Sequence, residues 1–164
     1  MRLTKRLTPK SLILVGTFLT LIPAAALAQA ADGPPTYGEF RLSAEGLPDE
    51  SLLSVVAGGA VEAALRAGSD TAACKGFTAS APDARLVWTG ESAGVRLSAV
   101  SNADTTLVVR TPDGRWLCDD DSGEDANPSI ALTAQAGRYD IWVGTYSKEE
   151  RKKAVLSASA TFSF

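Results

Sequence analysis

The chain is 164 residues long, which fits one domain behind a processed leader and excludes a multidomain enzyme. It contains no histidine, so the commonest general base near neutral pH is missing, and every Ser-His-Asp, Cys-His or HExxH scheme is excluded with it. The formal charge of −3 speaks against a nucleic-acid partner, whose phosphates need a basic face.

Met1 to Lys10 carries Arg2, Lys5, Arg6 and Lys10 and no acid, and an apolar run from Ser11 to Ile22 leads into Pro23 and small residues. This order predicts a signal peptide over residues 1–28, cut after Ala26-Leu27-Ala28, with a cut after Ala30 as the alternative. The expected product is exported, periplasmic or secreted, with residues 29–164 as one domain and no membrane span after cleavage. Losing the four basic residues takes the formal charge from −3 to −7. In an oxidising compartment Cys74 and Cys118 are expected to form a disulfide.

From Phe40 onward apolar residues recur with period two. Phe40, Leu42 and Ala44 alternate with Arg41, Ser43 and Glu45, and Leu53, Val55 and Ala57 follow before Gly58-Gly59. Val61 to Arg66 is read as a short strand, because the glycines on either side leave too little length for a stable helix. Further strands are predicted over Arg85–Thr89, Val95–Val100, Thr105–Arg110, Arg115–Cys118, Ser129–Ala134, Arg138–Thr145 and Ala154–Phe164. Pro112-Asp113-Gly114 supplies a tight turn, proline presetting one dihedral and glycine accepting a positive one. Short strands at this spacing, with no long amphipathic helix, predict an all-β fold: an antiparallel β-sandwich. Leu107 with Val109, Ile141 with Val143, and Leu156 with Phe162 are expected to face its core.

The segment from Asp104 through Thr-Pro-Asp-Gly-Arg-Trp-Leu-Cys-Asp-Asp-Asp-Ser-Gly, Asn127-Pro128 and Gly137-Arg-Tyr-Asp-Ile-Trp-Val-Gly-Thr-Tyr146 resembles the bacterial pre-peptidase C-terminal domain family, in particular its small stand-alone exported members. Cys74-Lys75-Gly76, Ala81-Pro82-Asp83 and Ala57-Gly58-Gly59 extend the resemblance over nearly all of the mature chain. It implies a jelly-roll-like sandwich, usually appended to secreted proteases as a noncatalytic module, some members binding calcium or insoluble polymers. Here the module stands without a protease, so a peptidase activity is not expected to come with it.

Gly90-Glu91-Ser92-Ala93-Gly94 matches the GxSxG nucleophile elbow, yet that elbow needs a strand before it, a helix after it and a histidine above it. Strand patterns flank it on both sides, so it reads as a hairpin loop, and a secreted hydrolase using Ser92 remains only as the alternative function. The acidic run Asp119 to Asn127 is the strongest candidate site. Its crowded carboxylates repel one another unless a hard cation neutralises them, which points to calcium on Asp119, Asp121, Asp125 and Asn127, although the spacing is not that of an EF-hand. The competing reading is a solvated turn whose Asp and Asn side chains bond local backbone amides.

Trp142 and Tyr146 fall on the same side of the alternation in Arg138–Tyr146 and form a candidate binding surface. Lys148–Lys153 reads as a charged hairpin loop. The alternating, aromatic-terminated stretch Leu156–Phe164 also fits the last strand of a small outer-membrane β-barrel, the second alternative. The expectation carried forward is an exported, noncatalytic β-sandwich that binds or stabilises an extracellular or envelope protein or polymer, with calcium as its candidate cofactor.

Overall fold

The computed structural model describes residues 33–47, 51–68 and 74–160; the predicted leader and Phe162 lie outside the described residues. The strands are β1 (Gly38–Ser43), β2 (Ser51–Ala57), β3 (Val61–Glu62), β4 (Phe77–Thr78), β5 (Ala84–Thr89), β6 (Ala93–Ser101), β7 (Thr105–Arg110), β8 (Trp116–Asp119), β9 (Ser129–Ala134), β10 (Gly137–Thr145) and β11 (Lys152–Ser159), with one short helix, α1 (Ala63–Ala67). They form two sheets. One runs β1-β5-β10-β7-β8, with β4 and β3 continuing beside the C-terminal end of β10; the other runs β2-β11-β6-β9. Every pairing is antiparallel except β1 with β5, so the expected sandwich forms with one parallel edge.

Period-two alternation fills the space between the sheets. Leu86, Trp88, Leu107, Val109, Ile141 and Val143 from the first sheet share a core with Val55, Val95, Leu97 and Leu156 from the second. Each such side chain contributes roughly 1.5–3 kcal/mol on burial. The indole of Trp88 reaches the end of the core, where its Nε1–H donates to the Glu91 carbonyl at 2.9 Å. An apolar interior between two sheets, with charged residues such as Arg41 facing outward, is the reverse of a transmembrane barrel, which corrects that alternative. No described helix is long and apolar enough to cross a membrane.

Three local expectations need correction. Val61–Arg66 is strand for only two residues and then one helical turn, closed by Gly68 in the left-handed region with its N–H on the Ala64 carbonyl. Tertiary contacts supply what helix length does not: Arg66 bonds the Thr78 hydroxyl at 3.0 Å and the Ala79 carbonyl at 2.6 Å, and lies 4.5 Å over the Trp142 ring. The Gly90–Gly94 segment and the segment before Lys152 are not hairpin loops. Each carries the chain from a strand of the first sheet to a strand of the second, whereas Pro112-Asp113-Gly114 does close a hairpin between β7 and β8.

Gly58 shows how tightly the crossings are packed. Its φ is 98°, and a Cβ there would stand 2.0 Å from the Glu150 carbonyl oxygen and 2.7 Å from Thr145 Oγ1. Gly58→Ala is expected to cost more than about 3 kcal/mol, since a left-handed residue and a backbone collision add. Gly114→Ala, at φ 83° with nothing within 4 Å, should cost only about 1–2 kcal/mol. Urea unfolding of both variants checks the contrast; equal losses would show that the Gly58 neighbourhood yields.

Candidate functional site

The β7–β8 hairpin determines which acids meet. Its register pairs Leu107 with Asp119, so the chain before β7 lies beside the chain after β8. Asp104 thereby joins Asp120 and Asp121, and one carboxylate oxygen from each lies within 4.8 Å of the others. The disulfide Cys74–Cys118, with Cα atoms 5.0 Å apart, anchors the end of strand β8 immediately before this cluster. It also brings Lys75 close enough for its charge to act on Asp120.

The predicted ligands divide into two groups. Asp121 is in the cluster, but Asp119 and Asn127 are engaged in building the loop. Asp119 Oδ2 accepts from the backbone N–H of Ser129 at 2.8 Å and of Ser122 at 3.1 Å, and Oδ1 accepts from the Ser122 hydroxyl. Asn127 is 1% exposed. Its Oδ1 accepts from the Ser101 N–H and the Thr105 hydroxyl, both at 3.0 Å, while its Nδ2 donates to the Glu124 and Asp125 carbonyls. This is the backbone-bonding turn that competed with calcium in the sequence, realised for these two residues. Asp125 is exposed on a left-handed bend, φ 51°, and is not among the clustered acids.

Electrostatics single out Asp120. Burial, reinforced by Asp121 and Asp104, raises its pKa to about 6. Its Oδ1 is buried and has no hydrogen-bond partner. Burial also raises the Asp104 carboxyl above its ordinary value, with Asp121 and Glu150 acting in the same direction. A partially buried oxygen cluster of this kind suits a hard cation, which prefers carboxylate and carbonyl oxygens and completes its shell with water. Asp120 lay within the predicted acidic run but outside its predicted ligand set, and Asp104 lay outside the run, although extending the hairpin register outward from Pro112-Asp113-Gly114 would have placed the two together.

The aromatic candidates separate as well. Trp142 is fully buried, under Arg66 and 5.4 Å from the Trp116 ring. It presents no surface, because α1 covers the half of the outer sheet face on which it lies. Tyr146 is 56% exposed and borders the acidic cluster, its N–H donating to the Asp104 carbonyl at 3.2 Å. Ser92 is exposed in a loop between two strands, without the helix an elbow requires.

No protein-family model matches the chain, and no curated protein matches it. Among solved structures it is similar to the pre-peptidase C-terminal domain of collagenase from Bacillus anthracis, at 13% identity and a TM-score of 0.43, over 77% of this chain and 97% of that one.

Proposed function

We propose that the chain is an exported, noncatalytic β-sandwich of the pre-peptidase C-terminal kind, and that calcium bound at Asp104, Asp120 and Asp121 stabilises its acidic end. The observation that carries the calcium reading is the buried, partnerless Asp120 oxygen beside two further carboxylates. An ion there would supply the missing partner and cancel the mutual repulsion of the three acids. The noncatalytic reading rests on the chain's lack of histidine and on the sequence resemblance.

Melting with calcium and with chelator tests the site. At calcium a hundred times its dissociation constant the gain is about 2.7 kcal/mol, so wild type should melt on the order of 5–10 °C higher with calcium. Asp120→Asn and Asp121→Ala should lose that increment. Asp119→Asn should be destabilised in both conditions, because its bonds hold the loop and not the ion. A wild-type melting temperature that is the same with calcium and with chelator overturns the reading.

A further inference from the structure

The second sheet ends on an unguarded edge. Strand β2, Ser-Leu-Leu-Ser-Val-Val-Ala, is seven residues long, lies at the rim of its sheet and contains neither a charged residue nor proline. Among the described residues no strand pairs with its outer side. Soluble proteins protect such edges with charge, proline or brevity, because unpaired backbone groups template association. The other rims follow that rule: β1 carries Glu39 and Arg41, β8 has four residues, and the first N–H of β9 is held by Asp119 at 2.8 Å.

The register fixes which backbone groups are free. The Ala99 N–H donates to the Pro128 carbonyl, and the ladders β9–β6, β6–β11 and β11–β2 run on without a bulge. Alternation in antiparallel pairs then turns the backbone of Leu53, Val55 and Ala57 toward β11, and points the N–H and C=O of Leu52, Ser54 and Val56 out of the sheet. The side chains alternate as well. Val55 is buried in the core, whereas Leu53 faces the core but stays half-buried at its rim. On the outer face Leu52 is 53% exposed. Beside it Ser54, Val56, Val100 and Val155 line a groove of about 470 Å³ whose one charged lining residue, among those described, is Lys153.

We propose that β2 pairs antiparallel with β2 of a second copy of this chain, about a two-fold axis through Ser54, so that two four-stranded sheets become one continuous sheet. The strand is self-complementary about that centre. The axis sets Leu52 opposite Val56, Leu53 opposite Val55 and Ser51 opposite Ala57 of the second copy, so apolar meets apolar and small meets small. The free backbone groups bond reciprocally, Ser54 with Ser54 and Leu52 with Val56. Leu53 gains a neighbour where the core was open. Leu52 is covered by Val56 of the second copy and by the alkyl stem of the Lys153 that pairs with it. A foreign strand would need this match by coincidence, whereas a second copy has it by symmetry. The strand itself carries no charge, so two acidic chains meet where their repulsion is weakest. One strand pair lies at the small end of specific interfaces, below about 1,200 Å², so the dimer is weak. The proposal goes beyond the noncatalytic reading and does not depend on calcium.

The test is sedimentation velocity of the purified protein from micromolar to millimolar concentration, in chelator. The expected result is a reversible shift from monomer to dimer. Ser54→Lys and Leu52→Lys change the exposed outer face, so in dilute solution both should melt like wild type. Both should weaken the dimer roughly ten-fold or more, Ser54→Lys because it sets like charges opposite each other. Ser54→Cys should form an intermolecular disulfide on oxidation, since opposed residues in such a pair have Cα atoms about 5.5 Å apart. Ser51→Cys, away from the axis, should not. Wild type that stays monomeric throughout overturns the proposal, and if that monomer binds a synthetic β2 peptide the edge takes a strand of another protein. Dimers that survive both lysine substitutions, or that cross-link equally well through Ser51→Cys, overturn it too.

Discussion

Replacing Cys74 and Cys118 together by serine is expected to lower stability by about 4 kcal/mol, the chain-entropy value for a closed loop of this size. The cysteines are separated by 44 residues, so the bond removes much freedom from the unfolded chain. Its local effect is equally specific. The segment that holds α1 and β4 rejoins the sheet through Cys74, and the small outer cluster of Ala63, Val108 and Trp142 packs against Cys118 and Trp116. Without the bond, that cluster, the Arg66 contacts and the short β3–β4 and β4–β10 pairings hold the segment down. Wild-type protein in reductant and the double variant should both melt on the order of 10–20 °C below the oxidised protein. A difference of a degree or two would show that packing alone secures this segment.

The second large effect is a pH dependence centred on Asp83. This residue is 1% exposed, and its Oδ2 accepts from the Val143 N–H at 2.8 Å. Burial raises its pKa to about 7 against the opposing pull of that bond, Arg151 and Arg66. The native state therefore holds the proton more tightly than the unfolded chain, where the carboxyl titrates near 3.8. Its contribution to stability is greatest below pH 4, declines as the pH rises through the interval to about 7, and is flat above. The decline is on the order of a few kcal/mol. Asp83→Asn retains an acceptor for Val143 and removes the titration, so it should lose this decline and be more stable than wild type at pH 8. Urea unfolding from pH 4 to 8 measures both profiles. Asp120 acts in the same sense over a narrower interval, up to about pH 6, and calcium should suppress its share but not that of Asp83. Parallel profiles for wild type and Asp83→Asn would remove Asp83 as the cause.

Much of the fold was legible because period-two alternation is a local signal. Leu107 with Val109 and Ile141 with Val143 face the core as the alternation predicts, and the Pro112-Asp113-Gly114 turn joins the strands it separates. What escaped depends on distant parts of the chain. Ala63–Ala67 is helical because Arg66 finds partners twelve to fourteen residues away, and β4 consists of two residues paired at the end of β10. Which sheet a strand joins is also a non-local matter, so connections read as hairpins became crossings. At the acidic end, composition located the loop but not its division of labour. Asp119 and Asn127 look like ligands in a list of oxygens, yet the Asp119 carboxylate is taken up by Ser122 and Ser129 and the Asn127 oxygen by Ser101 and Thr105 of the neighbouring strands. Asp104 contributes from another strand. Trp142 illustrates the same limit, since alternation put it on the outer face and could not show that α1 lies over it.

The strand directions have a mechanical consequence. Gly38 begins β1 opposite Ala84, which pairs with Ile141, and the nearby Val143 carbonyl accepts from Gly58 at the end of β2. Since Ala57 pairs with Lys152, β11 starts at that same end of the sandwich and finishes at the other. Traction applied between the start of β1 and the end of β11 is therefore directed along the strands. It loads the β1–β5 ladder, and the two ladders flanking β11, in shear, so that their bonds resist together and do not unzip one by one. A domain threaded in this way resists tension on its chain without any contact beyond those that fold it.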